Sequence, residues 1–199
     1  KVRFRRSRMN ALDASIYTHE HADQASGIFE MRPFFWKNKK KIPVYGSKRT
    51  INELKKKYEF CFKERHGYKP IMKAHFIKNK FTIKKEKNNL LIDSFNVSHG
   101  MINATGFVFD GIAYISDCNK ISSNAIKKLK NLNFLIIDCL RIDKHPSHFN
   151  YSDALELIKK IKPKKSILTN LHVDFDYFKL KQKLPNNIIP AYDGLSFNF

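Results

Sequence analysis

Cysteine is scarce in this chain, and so are glycine and proline: three, seven and seven among 199 residues. The thiols Cys61, Cys118 and Cys139 are too few and too scattered for a disulfide framework or a cysteine-based zinc site. Each stands beside apolar or strand-like residues, so we expect small buried hydrophobes in a reducing, cytoplasmic compartment. There is no proline- or glycine-rich linker and no internal repeat, so residues 1–199 are expected to form a single domain. No apolar run approaches membrane-spanning length; the strongest, Phe134-Leu135-Ile136-Ile137, reads as a core strand, and no membrane partner is expected. The chain opens on Lys1 with Arg3, Arg5, Arg6 and Arg8 crowded before the first strand, which predicts an N-terminally incomplete domain.

Acidic residues are also few, 18 against 38 basic ones, for a net charge of +20. A basic surface favours nucleic acid, acidic lipid or phosphorylated substrates. Thirty of the 38 are lysines spread along the chain, however, and the clusters at 37–41, 55–57 and 159–165 fall on helix ends or turns. This suits a solvated face better than a dedicated polyanion groove.

What is present is a core-forming α/β pattern, 42% hydrophobic and 13% aromatic. Strands are predicted near residues 13–18, 42–45, 72–77, 81–83, 90–97, 106–109, 112–116, 134–137, 166–169, 188–189 and 195–199. Helices are predicted over 49–58, 122–129, 151–161 and 176–183, with a short one ending near Met31 and an exposed excursion over 63–69. Asp110-Gly111 between two apolar runs is a hairpin signal, so part of the sheet is antiparallel. Strands dominate the first half, and helix alternates with strand in the second. That mixture suits two sheets packed together with helices outside, the site residues rising from strand ends at one rim.

The run Tyr17-Thr18-His19-Glu20-His21-Ala22-Asp23-Gln24 closes an apolar strand. Two histidines at i and i+2 with an aspartate two residues further on is a metal-ligand spacing, and imidazole with carboxylate suits zinc, manganese or iron. The remaining candidate ligands also follow predicted strands: His99 after 90–97, Asp117 after 112–116 and His172 after 166–169. Asp138 and Arg141 end a strand near the same rim, where Arg141 can hold a phosphate oxygen bidentately or join an ordinary surface ion pair. His66, His75 and His145 show no partner spacing and read as surface or core histidines.

Six segments, taken in order, carry a family resemblance: Thr18-His19-Glu20-His21-Ala22-Asp23, Ser98-His99-Gly100, Ala113-Tyr114-Ile115-Ser116-Asp117, His145-Pro146-Ser147-His148-Phe149, Leu168-Thr169-Asn170 and Ala191-Tyr192-Asp193-Gly194. The chain resembles the metallo-β-lactamase fold hydrolases, and among them the cyclic-phosphate phosphodiesterase branch. The resemblance implies an αββα sandwich, here expected to lack its N-terminal strands, and one or two divalent ions, zinc or manganese. It implies that His19, His21 and His99 bind one ion, that Asp117 bridges to a second, and that Asp23 is a ligand of that second ion. His148 matches a histidine that serves as proton donor or phosphate contact, making His148 and Asp23 the expected catalytic residues. Arg141, Gln24 and Asn170 are expected to contact substrate, and a homodimer is the default for the fold.

Two positions depart from the family pattern. Gln24 stands where a histidine for the second ion belongs, and Asn170 stands where the strand usually ends in Leu-Thr-His. A carboxamide is a poor zinc ligand beside imidazole and carboxylate. His172, two residues beyond Asn170 and on the same face of an extended segment, is the expected replacement. The sequence therefore predicts a metal-dependent phosphodiesterase acting on a small, cyclic phosphodiester. The alternatives are an RNA-processing nuclease of the same fold, a thioester or lactone hydrolase, and a degenerate, metal-poor binding scaffold.

Overall fold

The computed structural model describes residues 11–84 and 88–197, so the arginine cluster at positions 3–8 and the last two residues of the predicted final strand lie outside the described residues. The architecture is α/β, with two sheets and helices. The chain divides into two compact units, one up to Leu91 and the other from Ile92.

The first unit is built on three parallel strands, β1 (Ser15–Ile16), β2 (Ile42–Gly46) and β3 (Met72–Phe76), in that order. Ser15 pairs with Val44, and Ile42 with Met72. Parallel neighbours need crossovers, and helices supply them. Between β1 and β2 run α1 (Ala22–Ala25), a 3₁₀ turn over Ser26–Met31 and α2 (Arg32–Asn38); between β2 and β3 run α3 (Lys48–Lys57) and α4 (Glu59–Phe62). Ser47 caps α3 by accepting from Thr50 N at 3.1 Å, and Lys55, Lys56 and Lys57 complement the negative end of the helix. Thr50, Ile51 and Leu54 turn one face of α3 into a core shared with Ile28, Val44, Cys61 and Met72. The strand β4 (Lys80–Ile83) follows. Sequence patterning misses α2, because Phe34-Phe35-Trp36 has no helical periodicity; Pro33 sits in its first turn, where no backbone donor is needed.

In the second unit, β5 (Leu90–His99), β6 (Ile102–Phe109) and β7 (Ile112–Ile115) are antiparallel neighbours. The predicted turn is there: Asp110 (φ 45°) and Gly111 (φ 74°) are both left-handed, as a two-residue hairpin matched to strand twist requires. From β7 the sheet turns parallel, through β8 (Phe134–Asp138), β9 (Lys165–Thr169) and β10 (Ile188–Pro190). The crossovers carry α5 (Ser123–Ile126), α6 (Tyr151–Ile161) and α7 (Tyr177–Lys183). Ile115, Leu135, Ile137 and Leu168 pack with Leu129, Ala154, Leu157 and Ile158 in the main core. Helix α5 stops short of the predicted residue 129. Its exit tightens through Lys128 N to Ala125 O and Leu129 N to Ile126 O, each 3.0 Å, while Lys128 Nζ reaches Asp93 Oδ1 at 2.6 Å. The predicted strand at 195–199 is not extended over its described residues.

This topology brings the C-terminal ends of β7, β8 and β9 to one edge, where loop residues converge. Among the described residues, no helix is long and apolar enough to cross a membrane.

All three cysteines are buried. Burial pushes the Cys61 thiol up to about 11 and that of Cys139 to about 12, and carries Cys118 higher still. Since the thiolate is the reactive form, the native protein should resist Ellman's reagent in mildly alkaline buffer and react with it once unfolded in guanidinium. Rapid labelling of the native chain would contradict this packing.

Candidate metal centre

In the first unit the ligand-spaced run leaves β1 and enters α1. Tyr17 N still donates to Tyr45 O (2.8 Å), holding the strand in register up to the turn. His19 is fully buried, with Thr18 Oγ1 3.0 Å from its Nδ1, which directs Nε2 away from the hydroxyl. The His21 ring meets the His19 ring edge-on, with centroids 4.6 Å apart. His21 is the N-cap residue of α1, and its carbonyl accepts from Ala25 N at 2.9 Å. Asp23 is exposed, and Gln24 Nε2 donates to its Oδ2 at 3.2 Å.

Glu20, between the two histidines, is a buried carboxylate that sequence reasoning passes over. Arg49 lies 2.8 Å from its Oε1, Thr50 Oγ1 donates to its Oε2 at 3.4 Å, and Lys57 Nζ donates to its carbonyl at 3.1 Å. The histidine turn is thereby tied to α3 at both ends of that helix. A charged residue inside the motif is the signal that was available, but its partners lie about thirty residues away in sequence.

In the second unit His99, Asp117 and His148 each offer one ligand atom, all within 4.8 Å of one another. His99 ends β5, and its Nδ1 donates to Ser147 O at 2.8 Å, which puts the ring's lone pair on Nε2. Gly100 follows at φ 57°, and a Cβ there would lie 2.9 Å from Ser147 Cβ, so only glycine lets the His148 loop come this close. Asn119 fastens the loop further by accepting from Gly100 N at 3.2 Å and donating to Pro146 O at 2.9 Å.

Asp117 Oδ2 lies 3.7 Å from His99 Nε2 and 3.9 Å from His148 Nε2. Those separations exceed hydrogen-bond length and approach the ~3.4 Å between two ligands each about 2.1 Å from a tetrahedral ion. The His99 Nε2 nitrogen and the Asp117 carboxylate oxygen are also donor types that suit zinc or manganese, with His148 Nε2 beside them. By both criteria the residues fit a divalent cation.

Asp138, at the end of β8 and fully buried, organises this group. Its Oδ2 accepts from Cys118 N (2.9 Å) and His148 Nδ1 (2.8 Å), and its Oδ1 accepts from Asn170 Nδ2 (3.2 Å). Burial pushes its carboxyl above the usual range, and the His148 and Cys118 hydrogen bonds work against that shift. Asn170, just past β9, also donates to Ser116 O (2.9 Å) and Asp117 Oδ1 (3.0 Å).

Two expected site residues stand elsewhere. His172 is half-exposed with Nδ1 3.1 Å from Asp174 Oδ1, and Arg141 Nε is 3.6 Å from Asp174 Oδ2. The three form a cluster of their own, and His172 is not in the group with His99, Asp117 and His148. Arg141 thus joins a surface ion pair, one of the two roles expected of it. His145, read from sequence as an ordinary histidine, has its ring centroid 5.1 Å from that of His148 and its Nδ1 3.3 Å from Ser147 N. The spacing His145-Pro146-Ser147-His148 was the available clue.

The chain matches the model of the beta-lactamase superfamily domain over residues 1–170, and it belongs to that family. Its architecture is the metallo-β-lactamase fold of metal-dependent hydrolases. It is similar to the crystal structure of a diphosphatase from the PhnP family, with a TM-score of 0.86 and 26% identity over 96% of this chain and 72% of that one. It also superposes on the metallo-β-lactamase fold protein YhfI from Bacillus subtilis, with a TM-score of 0.70 and 20% identity, covering 92% of this chain and 76% of that one. In sequence it is 27% identical over 191 residues to an octanoyltransferase of Porphyromonas gingivalis, covering 94% of this chain. The chain spans 38% of that relative's length.

Asp138→Asn should weaken zinc affinity by about 10–100-fold, as loss of a group orienting metal ligands does. Competition with a chromophoric chelator measures it, and unchanged affinity would deny Asp138 that role. Glu20→Ala should cost about 1–3 kcal/mol in urea unfolding, because Thr50 and Arg49 lose a buried acceptor.

Proposed function

We propose that this protein is a metal-dependent phosphodiesterase acting on a small phosphodiester, with His148 as the proton donor. The observation that carries this reading is the orientation of His148. Its Nδ1 is held on Asp138 Oδ2 at 2.8 Å, and its Nε2 is left 3.9 Å from the Asp117 oxygen that faces the ligand group. An imidazole fixed by one nitrogen and offering the other beside a cation site suits delivery of a proton to a leaving alkoxide. The likeness to a diphosphatase supports phosphorus–oxygen cleavage over thioester or lactone chemistry.

A bound divalent ion supplies Lewis acidity toward a phosphoryl oxygen and acidifies water at neutral pH. In the second unit His99 and Asp117 would hold it. Ser147 O fixes the ring of His99, Asp138 that of His148, and Thr18 that of His19. His148 then gives the Nε2 proton to the departing oxygen, which is where an alkyl phosphodiester needs help most. The octanoyl transfer in the name of the Porphyromonas relative gives no support to acyl chemistry in this chain, which matches only 38% of that protein.

The net charge of +20 favours a second reading, a nuclease acting on RNA or DNA. Salt separates the two. Log activity on an oligonucleotide falls steeply with log salt if the lysines grip phosphates, whereas a small substrate is nearly indifferent.

The decisive assay compares phosphodiesters that differ in leaving group, using wild type and His148→Ala. With an alkyl leaving group the variant should lose about 10²–10⁴-fold in kcat. With p-nitrophenolate, which departs without a proton, the loss should be small. Equal losses on both would remove His148 as acid. No phosphodiester turnover with zinc or manganese, alongside cleavage of a thioester, would overturn the function.

A further inference from the structure

We propose that the first unit carries a groove for single-stranded nucleic acid, built from aromatic rings and cations around Arg32 and Tyr68. The proposal goes beyond the function read above and does not depend on the metal centre.

The spread of lysines along the sequence shows no groove, because its parts lie in two segments, 29–39 and 60–71, that the fold gathers. Arg65-His66-Gly67-Tyr68 closes a tight hairpin. Tyr68 N donates to Arg65 O at 2.8 Å, and His66 (φ 47°) and Gly67 (φ 78°) are both left-handed. The turn sets Tyr68 against Arg32, whose Cζ lies 5.6 Å from that ring, 5.7 Å from Trp36 and 5.2 Å from Phe29. Three rings thus surround one guanidinium. Its Nε is buried with no hydrogen-bond partner among the described residues. A guanidinium stacked on aromatic faces keeps its N–H edges in plane for an anion.

Two cavities, of about 370 and 590 Å³, share Arg32, Tyr68, Lys69 and Ile71. The smaller adds Phe29 and Phe60, whose rings meet edge-on, and the larger adds Trp36 and Lys39. Tyr68 is 64% exposed and Trp36 58%, so large rings stand open to solvent beside cations. Among the described residues no carboxylate lines either cavity. Arg65 is paired with Glu59 at 2.6 Å, which leaves Arg32, Lys39 and Lys69 as the cations for an anion. Rings that accept stacked bases, interleaved with cations that take phosphates, are what a single strand requires. A duplex keeps its bases stacked inside and cannot use the rings. Two cavities with rings of their own suit successive bases rather than one nucleotide. A flat membrane does not fill recesses, and a second copy of the chain would bring a net charge of +20 to a face that is already basic.

The test follows the fluorescence of Trp36, the chain's single tryptophan, in the full chain. A labelled oligo-dT of about eight nucleotides is titrated in parallel by anisotropy. Wild type should bind the oligonucleotide with quenching of Trp36, and the affinity should fall as salt rises. Tyr68→Ala should weaken binding about 5- to 100-fold. Lys69→Glu should weaken it as well, and Lys181→Ala, at an exposed lysine of α7, should leave it unchanged. Tyr68 and Lys69 are both exposed, so neither change disturbs the core. Binding without quenching of Trp36, or binding indifferent to both groove variants, would overturn the proposal. So would polyphosphate or dTMP competing as well as unlabelled oligonucleotide. No binding of the oligonucleotide would also overturn it, and attachment to phosphatidylglycerol vesicles in that case would make the groove a membrane contact.

Discussion

The second unit depends on a buried carboxylate placed where a parallel strand ends. Asp138 reaches no solvent, and its oxygens hold three otherwise separate pieces of chain: the Cys118 backbone after β7, the His148 ring in the β8–α6 loop, and the Asn170 amide after β9. A buried carboxylate costs several kcal/mol unless every lone pair finds a donor. That penalty is the constraint. It is relieved only when the three loops sit where they do, and in that position Asp117, His148 and His99 face one another.

The rest of the site is a matter of how closely backbone can approach backbone. The loop at 145–148 meets β5 at a glycine, because a side chain there would collide with Ser147. The approach lets the Ser147 carbonyl set the ring of His99, while the neighbouring residue, His148, takes its orientation from Asp138. One short loop therefore orients two imidazoles through different partners. In the first unit Glu20 does comparable work, pinning the histidine turn to both ends of α3 through Arg49, Thr50 and Lys57. In both units a buried acid that is not itself a ligand fixes the residues that are candidates for the role.

Much of the fold was legible before any coordinates. The period of α6, the left-handed Asp110-Gly111 turn and the apolar run of β8 are local signals, and each appears where the sequence predicts it. What escaped was local structure without local periodicity. Helix α2 carries an aromatic run without helical period, Phe34 buried and Trp36 exposed, and α5 ends in a tightened turn at Lys128 and Leu129. The candidate site divides in the same way. His19, His21, His99, Asp117 and His148 announce themselves by residue type behind predicted strands. Asp138 is legible as a carboxylate at a strand end but its burial and its partners are not, and Glu20 goes unmarked, since a buried carboxylate and an exposed one have the same letter.

The sequence by itself determined the kind of chemistry, because imidazole and carboxylate at strand ends are a property of composition and spacing. It also determined most of the strands and the longer helices, because apolar period and turn residues act over a few positions. Tertiary structure alone decided that Asn170 donates to Asp117 Oδ1 and that Ser147 O turns the ring of His99. It also decided that Asp138 Oδ2 accepts from Cys118 N. Those hydrogen bonds join residues 20 to 53 positions apart, near the edge where parallel strands end, and nothing in local spacing encodes a contact across that distance.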